Sequence, residues 1–286
     1  MDFYGQFNNS FVIPWKTRRD LDKISSSYDL DLFTLNTSID HNLSPVGHSD
    51  IQIHSRYFSP HTFRELKTKQ LKDEMQSRFS VFHNNVSSLN RNLTHLLQEL
   101  DFHFNVIGVT ETKITNCNVH TCNANIPGYV FECVPTPLAS GGVGLFIDEA
   151  LSYCVLEKIS NEAFQSLWVE ISFIKKKSVV CGILNRQHNS PKRFQQYFDE
   201  TSEKFTSSGK HVVNMGDFNI NLLKCDSSSY SQEFMSSLQS CYLIPTIDKP
   251  TRVRSSSATL IDNIFINNPD QVVTCGNVVS DTTELT

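Results

Sequence analysis

The rhythm of apolar and polar positions changes near residue 77. Ahead of it, residues 1–76 are rich in Ser, Asn, Asp, His and turn formers, and only short pieces such as IQIHSRYF alternate like a strand. That texture predicts a poorly ordered leader. From Pro60 the segment PHTFRELKTKQLKDEMQSRF has helix-forming residues, but its apolar stripe is too weak for a core helix, so it reads as a linker helix. Residues 77–286 read as one domain, in which short β-rich runs alternate with amphipathic stretches. FSVFH is followed by the helical NVSSLNRNLTHLLQELD and then by FNVIGVTET. Further on come the strands YVFEC, GGVGLFID, SYCVLE, SLWVEISFI and SVVCGILN, the helix PKRFQQYFDETSEKF, the strand HVVNMGDFN, the helix SQEFMSSLQSCYL, and finally ATLIDNIFIN and GNVVSD. Strands outnumber helices by about two to one, with the helices dispersed among them. This pattern predicts an α/β fold, a two-sheet sandwich flanked by helices, rather than a strictly alternating doubly wound sheet.

Composition narrows the function classes. The 286 residues carry 25 Lys and Arg against 30 Asp and Glu, a net charge of −5, and only 19% charged residues. A supercharged disordered chain and a histone-like basic protein are therefore excluded. Nucleic-acid binding stays open, because an enzyme that gathers a divalent metal through carboxylates can be acidic overall and keep a local basic groove. The apolar stretches fall short of the ~20 residues of a membrane helix, and the first twenty residues lack the order of a secretory signal. The chain reads as intracellular. Its eight cysteines are scattered without a CxxC pair and read as reduced small hydrophobes.

Three acids fall at strand ends, where α/β folds place reactive groups. Glu111 follows the apolar NVIGVT and is a natural metal ligand or an ordinary exposed strand end. In GDFN, Gly216 permits a sharp turn, and Asp217 and Asn219, two apart on an extended chain, share a side on which a water or phosphate can be held. Asp262 is embedded in the apolar TLIDNIFIN, so it is a structural acid or part of a site.

The segments HNNVSSLNRN, VTETK, SGGVGLFI, GDFNINLL, KPTRVRSSSATLIDNIFIN and the final SD, taken in this order, resemble the endonuclease domain of LINE-type (non-LTR) retrotransposons. That family is part of the endonuclease/exonuclease/phosphatase superfamily, with the apurinic/apyrimidinic endonucleases and deoxyribonuclease I. The resemblance spans residues 79–286 and implies a four-layer, deoxyribonuclease I-like sandwich that nicks DNA with Mg²⁺ or Mn²⁺ to prime reverse transcription. It implies that Asn85 lies near the metal, that Glu111 binds it, that Asp217 orients or deprotonates the attacking water, and that Asn219 contacts the phosphate. Asp262 would partner a catalytic His, and Asp281 would stand just before that His, close to the metal. Arg186, Thr251, Arg252 and Arg254 match segments where such domains meet DNA.

Two departures accompany these matches. Asn185 stands where the family has a phosphate-contacting Tyr, and Thr282 where it has the catalytic His; a hydroxyl cannot give or share a proton as an imidazole does near neutral pH. The resemblance also implies one further strand and a reverse transcriptase domain beyond Thr286, so the domain reads as lacking its final strand. Two readings follow: a metal-dependent nuclease working in the nucleus, or a catalytically impaired remnant that still binds DNA. A phosphatase acting on lipid or sugar phosphates is a third, less consistent with GDFN and TLIDNIF.

Overall fold

The computed structural model describes residues 7–13, 53–59, 61–65, 79–99, 103–172, 178–187, 191–254, 257–268 and 274–278, with 7–13 described as backbone only. The strands are β1 (Phe7–Ile13), β2 (Arg56–Phe58), β3 (Phe79–Asn85), β4 (Val106–Thr110), β5 (Tyr129–Val134), β6 (Val143–Asp148), β7 (Ser152–Ser160), β8 (Phe164–Ser172), β9 (Ser178–Arg186), β10 (His211–Asp217), β11 (Ile244–Pro245), β12 (Arg252–Arg254), β13 (Ser257–Thr259), β14 (Asp262–Ile266) and β15 (Cys275–Val278). The helices α1 (Leu89–Glu99), α2 (Pro191–Thr206) and α3 (Ser229–Ser240) follow β3, β9 and β10. One sheet runs β2-β15-β1-β3-β4-β6-β5 and the other β11-β14-β10-β9-β8-β7, while β12 and β13 form a separate hairpin.

Strand alternation sorts the core into layers, because successive side chains leave opposite faces of a sheet. Val81 and Val106 of the first sheet point inward and share one apolar cluster with Leu167, Ile183, Met215 and Ile264 of the second. Their neighbours Phe82 and Ile107 point outward and pack with Leu89 and Leu96 of α1. On the far side of the second sheet, Phe194, Phe198 and Phe205 of α2 and Phe234 and Leu238 of α3 join the inner cluster. The order is helix, sheet, sheet, helices: a four-layer α/β sandwich, as the dispersed pattern of strands and helices implies. Gly108 lets the sheets approach, since a Cβ there would lie 2.4 Å from Met215 Sδ.

Two pieces of the segment read from sequence as leader are strands of the first sheet. β1 runs parallel between β15 and β3, and β2 pairs parallel with β15 at the edge. Residues 53–57 also grip the loop before β12. Buried Asp248 accepts from the backbone N–H of Ser55 at 3.1 Å and from its hydroxyl, and Tyr57 Oη donates to the Pro250 carbonyl at 2.9 Å. Of the expected linker helix, residues 61–65 are helical and 66–78 lie outside the described residues. Among the described residues no helix is long and apolar enough to cross a membrane.

Candidate active site

The three acids and three asparagines named from sequence come from the same end of both sheets. On the first sheet Asn85 ends β3 beside Thr110 of β4, and Glu111 follows directly. On the second sheet Asp217 ends β10, where the ladder places it between Asp262 of β14 and Asn185 of β9. Like charges directly opposite in a ladder repel, so the Asp217–Asp262 pair requires compensation. It comes from Arg252 at the start of β12.

Asp217 is 2% exposed and heavily hydrogen-bonded. Its Oδ2 accepts from Asn85 Nδ2 at 2.8 Å and from Arg252 Nη2 at 2.5 Å, while Oδ1 accepts from the Asn219 backbone N–H at 3.1 Å. Asp262 Oδ2 accepts from Thr251 Oγ1 at 3.1 Å and lies 3.6 Å from Arg252 Nε, and its buried Oδ1 has no hydrogen-bond partner. Glu111 takes neutral donors on both oxygens, Asn185 Nδ2 at 2.8 Å and the Gly141 N–H at 2.9 Å. Its φ of 54° is left-handed, a conformation costing a non-glycine residue on the order of 1–2 kcal/mol, and it is held by this pair of bonds.

Burial first, and then the charge of Asp262, push the Asp217 carboxyl up from 3.8 to about 7, against the opposing pull of Arg252, the Asn219 N–H and Asn85. The Arg252 guanidinium is held above its usual value: burial works against its charge, but Asp262 and Asp217 outweigh it. Beneath the acids lies His83, fully buried, with Nε2 3.2 Å from Thr110 Oγ1 and Nδ1 without a partner. Burial lowers its pKa to about 4, so the ring is neutral near pH 7.

No protein-family model and no curated protein matches the chain. Solved structures do. The chain is similar to the catalytic domain of Xenopus laevis APE2, at 17% identity and a TM-score of 0.48 over 65% of this chain and 82% of that one. It is also similar to an endonuclease/exonuclease/phosphatase family protein from Bacteroides thetaiotaomicron (15% identity, TM-score 0.46, 65% and 80% covered). An AP endonuclease from Archaeoglobus fulgidus is a third (12% identity, TM-score 0.46, 67% and 87% covered).

Several side chains stand differently from their sequence reading. Gly216 makes no turn: it is inside β10, where a Cβ would lie 1.9 Å from the Leu184 carbonyl oxygen, so the close approach of β9 is what requires glycine. The chain is not extended through Asn219, whose φ is 50°; its amide turns to donate to the Arg186 carbonyl instead of sharing a side with Asp217. Arg186, read as a DNA contact, is 5% exposed and donates inward to the Asn219 carbonyl at 2.9 Å, with its guanidinium over the Tyr230 ring. Thr251, read likewise, is buried and serves Asp262. His83, at the end of β3, belongs to the buried floor. Arg254 is in β12 with its side chain outside the described residues, as are Asp281 and Thr282 altogether.

Among the described residues no group of three or more His, Cys, Asp and Glu side chains is placed to hold a metal, so a hard divalent cation here would rest on Glu111 with few other protein ligands. Glu111 offers carboxylate oxygens, and Asn185 directs its amide nitrogen at Glu111 while its own buried Oδ1 has no partner. Magnesium commonly uses one or two carboxylates, with waters and substrate phosphates completing its shell.

Proposed function

We propose that this protein hydrolyses phosphodiester bonds in DNA with the help of Mg²⁺ or Mn²⁺, as the endonuclease domain of a LINE-type retrotransposon. The observation that carries this reading is Asp217: a buried carboxyl raised to about 7, next to a second acid and one cation, accepting from the Asn85 amide and the Asn219 backbone N–H. A base tuned to that range takes a proton from water near neutral pH. Three donors occupy Asp217, and two carboxylate oxygens offer about four acceptor sites, so one remains for a water. The water oxygen forms a bond to phosphorus and passes a proton to Asp217. The P–O3′ bond breaks with its electron pair on O3′, which takes a proton from solvent. A metal held by Glu111 would neutralise negative charge on the phosphate oxygens.

The second reading, an impaired DNA-binding remnant, is favoured by Asn185 itself. Its side chain is fully buried and given to Glu111, so it offers no group to a phosphate entering the cleft. The resemblance further implies action in the nucleus and a reverse transcriptase as partner. A supercoiled-plasmid assay with Mg²⁺ and with EDTA separates the two readings: the nuclease gives metal-dependent nicked circles, whereas the remnant retards the plasmid without relaxing it.

A further inference from the structure

We propose that Arg252 is a catalytic residue that binds the scissile phosphate directly while remaining docked on Asp217 and Asp262; this rests on the reading of the site as a phosphodiester hydrolase. Its Nη2 bonds Asp217 and its Nε faces Asp262, and both are on one edge of the guanidinium. Five N–H groups radiate from that plane. With one spent on Asp217 and one aimed at Asp262, the Nη1 pair and the second Nη2 hydrogen remain. Among the described residues none of these has a protein partner, and the side chain is 40% exposed whereas the two acids beneath it are 2–3% exposed. The free edge is therefore the part left to meet a ligand from solvent, and planar guanidinium donors match the spacing of two phosphate oxygens.

The side chain is held in place rather than searching for a partner. Thr251 Oγ1 accepts from the Ile261 and Asp262 N–H groups at 3.2 Å each and donates to Asp262, which pins the residue before Arg252 to the start of β14. Pairing of Arg252 with Thr259 across the hairpin fixes its other side. Such preorganised positive charge stabilises a pentavalent phosphate without reorganisation during reaction. Arg186 does not take the role, because its side chain is buried, with Nη1 turned to the Phe218 and Asn219 carbonyls. The titratable and charged groups facing Arg252 are Asp217, Asp262, Glu111 and the neutral His83. A group that only neutralised the acid pair would have no need of an exposed, unpartnered edge.

The test compares wild type with Arg252→Gln and Arg252→Lys by single-turnover plasmid nicking with Mg²⁺ across the pH range around 7, and by titration with inorganic phosphate followed by ³¹P NMR. Urea denaturation confirms that each variant folds. Arg252→Gln is expected to slow nicking by about 10²–10³-fold, to weaken phosphate binding, and to move the acid limb of the pH profile upward, since Asp217 loses the cation that favours its charged form. Arg252→Lys keeps the charge without the fork and recovers part of the rate. Nicking and phosphate binding unchanged in a folded Arg252→Gln protein would overturn the proposal while leaving hydrolysis intact. A wild type that does not nick sinks the hydrolase reading, and the phosphate titration then decides the binding role alone: loss of binding in Arg252→Gln supports it, while equal binding, or none in wild type, overturns it.

Discussion

Replacing Asp217 by Asn removes a carboxyl whose burial opposes its charge, and the consequence for stability has a definite sign. In the unfolded chain the group titrates at 3.8 and in the folded protein at about 7. Between those values the native state binds more protons than the unfolded state, so wild-type stability declines as pH rises through that window and levels off above it. At about 1.4 kcal/mol per pKa unit the decline amounts to at most about 4 kcal/mol. Asn carries no such slope. It does bring a constant penalty, because its Nδ2 would face the Asn85 and Arg252 donors that now meet Oδ2, costing about 1–3 kcal/mol. The penalty is the same at every pH, so the quantity to compare is the change with pH. Urea denaturation in EDTA at about pH 5 and about pH 8 should show Asp217→Asn gaining on wild type by a few kcal/mol over the interval. Parallel stability curves for the two proteins would refute the assignment of a raised Asp217 pKa.

Glu111→Ala should weaken Mg²⁺ binding by at least about 10-fold in isothermal calorimetry, and equal affinity in the two proteins would remove Glu111 from the metal site. Asp248→Ala should leave the buried Ser55 N–H unpaired, costing about 1–3 kcal/mol in urea denaturation. Its nicking rate should fall as well, because the Asp248–Pro250 loop leads directly into Thr251 and Arg252. Full activity in a destabilised Asp248→Ala protein would show that residues 53–57 brace the fold but not the site.

Most of the elements between Phe79 and Val278 were legible in the chain, because their apolar runs are long enough to carry a period. The hairpin of β12 and β13 was not: three residues a side, RVR and SAT, hold too little pattern to tell strand from loop. Glu111, Asp217 and Asp262 stood out as acids at the ends of apolar runs. What made them a site, the register that sets Asp217 between Asp262 and Asn185, arises from long-range pairing that no local window contains. The same gap hid the inward roles of Thr251 and Arg186 and the burial of His83, since polarity alone favours the surface for all three. Gly216 looked like a turn because glycine usually signals one, and its actual cause, the Leu184 carbonyl, belongs to the neighbouring strand. The short strand-like rhythm of IQIHSRYF was the one sequence signal that residues ahead of Pro60 contribute to the sheet.

The most direct test of the site is single-turnover nicking of supercoiled plasmid by wild type and Asp217→Asn, both at saturating protein with Mg²⁺ and with duplex binding measured alongside by fluorescence anisotropy. Because the substitution removes a proton acceptor and no phosphate contact, nicking should disappear while duplex affinity stays within about 3-fold. Nicking by Asp217→Asn at the wild-type rate would contradict the account, because the proton of the attacking water would then go to some other group.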